Sequence, residues 1–264
     1  MWRDEARFKH LSGESDIERS AIASFGRAVA ALVVAATPAA PRELATSPQS
    51  LRSAILGSQP FVRLVDLLAL CWGIGTPTIH LRVFPRVQKR MAAMSVHIAG
   101  RGAILLARDA QYPAWAAFHL AHELGHIALG HLGHEAAIVD MQTDTALAAS
   151  DDTEEQDADR FALEFLTGRP DFSVASDSKS YNAPALAAAV LDASGHLHVE
   201  PGTLALCFGF ATQKWRIVNS AMRFIYKRKQ PVWRVVNQVA LRELDFDRIP
   251  EDARSYVATI LGAA

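Results

Sequence analysis

Cysteine is almost missing from this chain: its 264 residues hold two, Cys71 and Cys207. They lie far apart and fit neither a C-x-x-C pair nor a disulfide framework, so they read as buried free thiols of a reducing compartment. Neither sign of charge dominates. With 27 Lys and Arg against 28 Asp and Glu, the net charge of −1 argues against a surface coated in base for nucleic acid. No long membrane-like run appears. The apolar stretch 28–36 is too short to span a bilayer, although Ala-Thr-Pro-Ala-Ala after it resembles a signal cleavage site. The 27 residues before it carry five acids, too long and too acidic for a signal n-region. The stretch therefore reads as an alanine-rich helix and the protein as cytoplasmic. There is no internal repeat. What is present is apolar mass: 50% hydrophobic residues in 264 support a substantial core, in one large domain or two small ones.

The run 119–131 contains His122-Glu123-Leu-Gly-His126, an H-E-x-x-H motif. Two residues four apart on a helix are offset by only about 40°, so both imidazoles leave one face a turn apart and can share a small tetrahedral ion. Glu123 lies about 100° from His122, beside that face, where its carboxylate could take a proton from the attacking water. The context is helical. Residues 114–132 contain no proline, Pro113 stands at the start, and Gly130 and Gly133 are stop signals. His131 is about 180° round the helix from His122 and is excluded as a ligand if the helix persists. His119, one turn before His122, reads as a packed histidine that could also hydrogen-bond the site. His134 reads as exposed, and His196 and His198 carry no assigned role.

A catalytic zinc usually takes three protein ligands and keeps one position open. The candidate region is the acidic run 151–166, where Ala158, Phe161, Ala162, Phe165 and Leu166 recur at helical spacing and define a buried stripe. Glu155 and Asp159 border that stripe. Glu155 is assigned as third ligand, and Asp159 as acceptor of a ligand histidine's free N–H. Glu154 and Asp157 would exchange roles with them if the helix phase were one residue off. The plainer alternative is a solvated acidic helix start, since residues 140–159 hold eight acids and no base.

At this point the chain resembles the ImmA/IrrE family of zinc metallopeptidases. The likeness rests on H-E-L-G-H followed some thirty residues later by Glu155-x-x-Ala-Asp159-x-Phe-Ala, on the upstream stretch Gly75-Thr-Pro-Thr-Ile-His-Leu, and on Gly102-Ala-Ile-Leu-Leu-Ala leading into the motif. It covers about residues 50–170 and extends weakly to the segment from His198. It implies that His122, His126 and Glu155 bind Zn2+ and that Glu123 is the general base. Two departures stand out. Relatives often carry a small polar residue where this chain has His119, and the common leucine-methionine-proline after the glutamate helix is here Leu166-Thr-Gly-Arg-Pro170. Tyr112, Tyr181 and His119 are possible oxyanion donors.

The fold expected is α+β: a mostly helical zincin-like core with a small three-stranded antiparallel sheet and a C-terminal helical region. Strands are expected at 78–83, 95–99 and 103–107, the last two joined by a tight turn at 100–102, with an edge open to an extended substrate. Helices are expected at 16–36, 51–56, 62–72, 184–192, 201–210, 213–226, 231–244 and 252–261, a linker at 45–49 and a loop at 173–180. Three parts follow: an N-terminal helical extension (1–48), a metallopeptidase domain (49–170) and a C-terminal helical region (171–264). The function expected is a zinc endopeptidase with a protein substrate, which the resemblance narrows to a helix-turn-helix repressor. The rival is a non-cleaving regulatory or toxin–antitoxin module. It draws on residues 214–242, where eight bases and no acid are interleaved with Trp215, Phe224, Tyr226 and Trp233. Such a surface could hold nucleic acid or an acidic protein, although a solvated helix face over packed aromatics is the reading preferred. No membrane partner is expected.

Overall fold

The computed structural model describes residues 6–9, 16–39, 46–83, 91–132, 137–141, 152–175 and 181–263, with backbone alone for 6–9, 16–20 and 140–141. Residue 45 of the expected linker, Gly133, His134 and residues 176–180 of the expected loop lie outside these residues.

Five strands form one mixed sheet: β1 (Ala6–Lys9), β2 (Thr78–His80), β3 (Met91–Ile98), β4 (Arg101–Leu106) and β5 (Ala137–Met141), in the order β1-β5-β3-β4-β2. The α+β class holds, but the three-stranded antiparallel sheet is corrected. Only β3 runs antiparallel to its neighbours β4 and β5, whereas β2 pairs parallel with β4 and β1 parallel with β5. The β3–β4 turn falls on Ala99 and Gly100, at φ 49° and 80°. Positive φ at both central residues is the tight-hairpin geometry whose twist matches that of the strands, and Gly100 supplies it without a Cβ clash. This hairpin offers no edge to a substrate, because β3 and β4 are both interior strands. The edge at β2 is also occupied: Asn237 accepts from the His80 amide (2.7 Å) and donates to the His80 carbonyl (2.8 Å).

Alternation along the strands sends Met94, Val96, Ala103, Leu105, Ala137 and Val139 to one face, where α1 (Asp16–Ala35) and α10 (Glu251–Leu261) cover them. Ala93, Ile104 and Leu106 face the other way, onto Leu120 and Leu124 of α4 (Pro113–Ala128). Around α4 on this side lie α2 (Pro48–Leu56), α3 (Leu64–Gly73), α5 (Thr153–Thr167) and part of α9 (Val232–Glu243). A third cluster is built from α6 (Ala183–Leu197), α7 (Pro201–Thr212) and α8 (Trp215–Ile225), packed on Ala114 and Trp115 at the start of α4. The helix that carries the motif is thus enclosed by the sheet, by α5 and by the C-terminal helices.

Cys71 and Cys207 are both free and buried, and burial pushes each thiol up to about 12. Among the described residues no helix is long and apolar enough to cross a membrane.

Candidate metal centre

Helix α4 starts at Pro113, where the missing N–H costs nothing, and its first turn is held from outside. Ala114 and Trp115 of that turn pack on the C-terminal cluster, where the Tyr226 hydroxyl donates to Glu200 Oε1 at 2.6 Å. The helix ends at Ala128, at the first of the two expected stop signals, where Gly130 takes up φ 75°. Its face toward the acids is occupied by α5, which comes close because residue 125 has no side chain: a Cβ there would meet three Phe161 atoms at 3.2 Å.

Within that contact the structure brings together His122, His126 and Glu155, with ligand atoms of all three within 4.8 Å of one another. The two Nε2 atoms are 3.1 Å apart; Glu155 Oε2 lies 3.4 Å from His122 Nε2 and Oε1 lies 3.2 Å from His126 Nε2. A tetrahedral zinc with bonds near 2.05 Å sets its ligand atoms about 3.3 Å apart, so these separations suit it. The side chains are almost inaccessible, at 5%, 0% and 3% exposure. Glu154 is half-buried and Asp157 exposed, so neither shares the pocket with Glu155.

The hydrogen bonds on the far side of the rings say what the cluster needs. His122 Nδ1 lies 2.8 Å from Asp159 Oδ1, an acceptor when ionised, so His122 donates there and leaves the Nε2 side for the cluster. His126 Nδ1 lies 3.0 Å from His131 Nδ1. Two imidazole Nε2 atoms and a carboxylate then converge with acceptor lone pairs, an arrangement that calls for a cation or a proton at its centre. The proton affinities agree. Burial works against charging His122, but its bonds to Asp159 and Glu155 win, and its pKa stands well above the ordinary value. Burial likewise pushes Glu155 up, and the bonds from His122 and His126 outweigh it, holding that carboxyl below the usual carboxylate range. For His126 burial prevails and the pKa falls. The donor set fits a borderline-soft divalent ion of the zinc type.

Glu123 is fully buried beside this cluster, near enough that its charge raises the proton affinity of His122. His119 is buried too, stacked on Trp115 (centroids 6.3 Å) with Phe118 edge-on (6.1 Å). Burial, then the charges of Arg108 and His122, lower its pKa to about 3, so it is neutral at working pH. The two tyrosines named as oxyanion candidates belong to the C-terminal layer: Tyr112 stacks on Tyr226 at 5.3 Å, and Tyr181 packs edge-on against Phe208 at 4.9 Å.

The condition attached to His131 does not hold: the helix ends before it, and the chain folds back at Gly130 to set the His131 ring against His126 (centroids 5.1 Å), although His131 is not among the three groups that converge. The signal was available, since a glycine four residues after His126 can terminate a helix and reverse the direction of the next side chain.

The basic segment 214–242 resolves into exposed bases over mostly packed aromatics. Trp215 lies against Phe210 and Trp115, Tyr226 on Tyr112, and Trp233 beneath the guanidinium groups of Arg82 and Arg234. Phe224 alone of the four is exposed, at 51%.

Residues 78–190 match the family model of Peptidase_M78, the IrrE N-terminal-like domain. That stretch runs from β2 through most of α6 and includes all of the cluster described above. Neither the curated proteins nor the solved structures yielded a match.

Proposed function

From an IrrE N-terminal-like domain of the M78 metallopeptidases we propose that this protein is a zinc-dependent endopeptidase, with His122, His126 and Glu155 as ligands and Glu123 as general base. The observation that carries it is the convergence of two imidazoles and a carboxylate, each histidine fixed from behind, beside the buried carboxylate of Glu123. When bound, a zinc ion there supplies Lewis acidity, lowering the pKa of water to about 7 and polarising a scissile carbonyl.

The remaining work falls to the protein. Asp159 holds His122 with its Nε2 toward the cluster, which fixes the tautomer and makes the ring a better donor. Glu123 takes the proton of the attacking water and later delivers it to the leaving amine, a transfer made efficient by its place on the same helix as the ligands. The near-complete burial of Glu123 and the cluster excludes bulk water, which strengthens each electrostatic contact. Neutral His119 can donate a hydrogen bond without bringing a second positive charge to the site.

A narrow substrate, a helix-turn-helix repressor, is the finer form of this proposal; its support is the resemblance of the motifs to the ImmA/IrrE family. The test combines metal content with cleavage. Purified wild type is expected to hold about one zinc per chain by mass spectrometry, Glu155→Ala to lose most of it, and Glu123→Gln to retain it. On a proteome-derived peptide library, new termini should appear with wild type and vanish with Glu123→Gln. Turnover retained by that variant would sink the assignment of Glu123. Zinc without any cleavage, joined to salt-sensitive DNA binding by the exposed bases of 214–242, would instead support the non-cleaving module.

A further inference from the structure

A histidine that ligates through Nε2 must carry its proton on Nδ1, and that N–H needs an acceptor to fix the ring. For His122 the acceptor is the Asp159 carboxylate. For His126 the partner of Nδ1, among the described residues, is another ring nitrogen, His131 Nδ1 at 3.0 Å. If His126 donates, His131 must accept, which requires it to be neutral with its own proton on Nε2.

The backbone makes this meeting a product of the helix end. The amide of His131 bonds the His126 carbonyl at 3.0 Å, and the amide of Gly130 bonds the Ile127 carbonyl at 3.3 Å. These are the six-to-one and five-to-two bonds of a Schellman motif, with left-handed Gly130 as the reversing residue. Such a motif sets the side chain after the glycine against the one five residues before it. That contact is often hydrophobic. Here both partners are imidazoles, their rings 67° apart.

We propose that His131 is the positioning residue of the metal centre: it accepts the Nδ1–H of His126 and so holds that ring in the ligating tautomer. The proposal rests on the metal reading above. It also makes the two ligand histidines unequal. His122 is backed by an anion and His126 by a neutral ring, so His126 gains less electron density and leaves more of the ion's charge for the substrate.

The test uses full-length protein and zinc itself. Zinc affinity is measured by competition with a chromophoric chelator for wild type, His131→Phe, which keeps an aromatic ring but no acceptor, and His131→Gln, which restores a carbonyl acceptor. His131→Phe should bind zinc about 10–100-fold more weakly, and His131→Gln should recover most of that loss. On zinc-loaded wild type, ¹⁵N–¹H correlation spectra of the imidazoles should show His126 protonated on Nδ1 and His131 on Nε2, a result that does not depend on either variant folding. Unchanged affinity in His131→Phe, failure of His131→Gln to recover, or a proton on His131 Nδ1 would each overturn the proposal while leaving the zinc site standing. A wild type that takes up no zinc would overturn the zinc site and the proposal together.

Discussion

His119 and His122 stand one turn apart on the same helix, and burial treats them oppositely because of what faces each. His122 meets Asp159 and Glu155, and its proton is held more tightly than in water despite the desolvation. His119 meets Trp115 and Phe118 with Arg108 nearby, and its pKa drops to about 3. In the unfolded chain a histidine titrates near 6.5. Between those values the unfolded chain binds a proton at His119 that the folded chain refuses, so this residue's contribution to stability is full above about pH 6.5 and is lost as pH falls toward 3. From pH 7 to pH 5 the loss is about 2 kcal/mol, and His122 in the metal-free protein works in the reverse sense. Urea unfolding at the two pH values should show wild type losing about 2 kcal/mol more than His119→Gln. Equal losses would place His119 in a wetter setting than its packing implies.

Helices α4 and α5 carry the cluster of His122, His126 and Glu155 between them, and their separation is set by Gly125. Phe161 Cβ, Cγ and Cδ1 all lie where a Cβ on residue 125 would press, and a Cβ so near the backbone cannot swing aside. Gly125→Ala should therefore push α5 outward despite alanine's better helix propensity, costing about 1–3 kcal/mol as other overpacked cores do. Because Glu155 moves with α5, zinc affinity should fall as well. A variant as stable as wild type with undiminished zinc binding would show that the contact is slack. Helix phase was readable for both elements. The motif spacing defines one face of α4, and the apolar stripe from Ala158 to Leu166 defines one face of α5, which places Glu155 and Asp159 at its border. Strands were less readable. β1 and β5 have four and five residues, too few for alternation to rise above noise, and the first half of β3 is buried on both faces, so Met91-Ala-Ala-Met shows no polar side.

Across the molecule, Arg52 does the joining that no apolar cluster does. From α2 its guanidinium donates to the carbonyls of Phe165 (3.2 Å) and Leu166 (2.6 Å) at the end of α5, and to that of His198 (2.6 Å) where α6 gives way to α7. One planar fork thus satisfies carbonyls of the glutamate helix and of the C-terminal layer, at the helix end where a cation is favoured. Lysine has a single ammonium and cannot span the two sites. Arg52→Lys should lower stability by about 2–4 kcal/mol, from buried carbonyls left without donors, and reduce Tm by several degrees. Calorimetry of the two proteins decides it; an unchanged Tm would mean that α2 and the C-terminal layer hold without this bridge.

The spacing of His122, Glu123 and His126, the ligand count that points to Glu155, and the α+β class were already legible in the order of residues. Each depends on helical periodicity and on local chemistry, which a chain carries in itself. Gly130 was legible as a stop signal, but which of the two glycines ends α4 was not, because a glycine permits a left-handed turn without requiring one. That turn decides where His131 points. Likewise, the pairing of β1 with β5, the closure of β2 by Asn237 and the span of Arg52 are contacts between residues more than a hundred positions apart. No local preference encodes them. They arise when sheet, helices and C-terminal layer bury their apolar faces together and every enclosed polar group must find a partner.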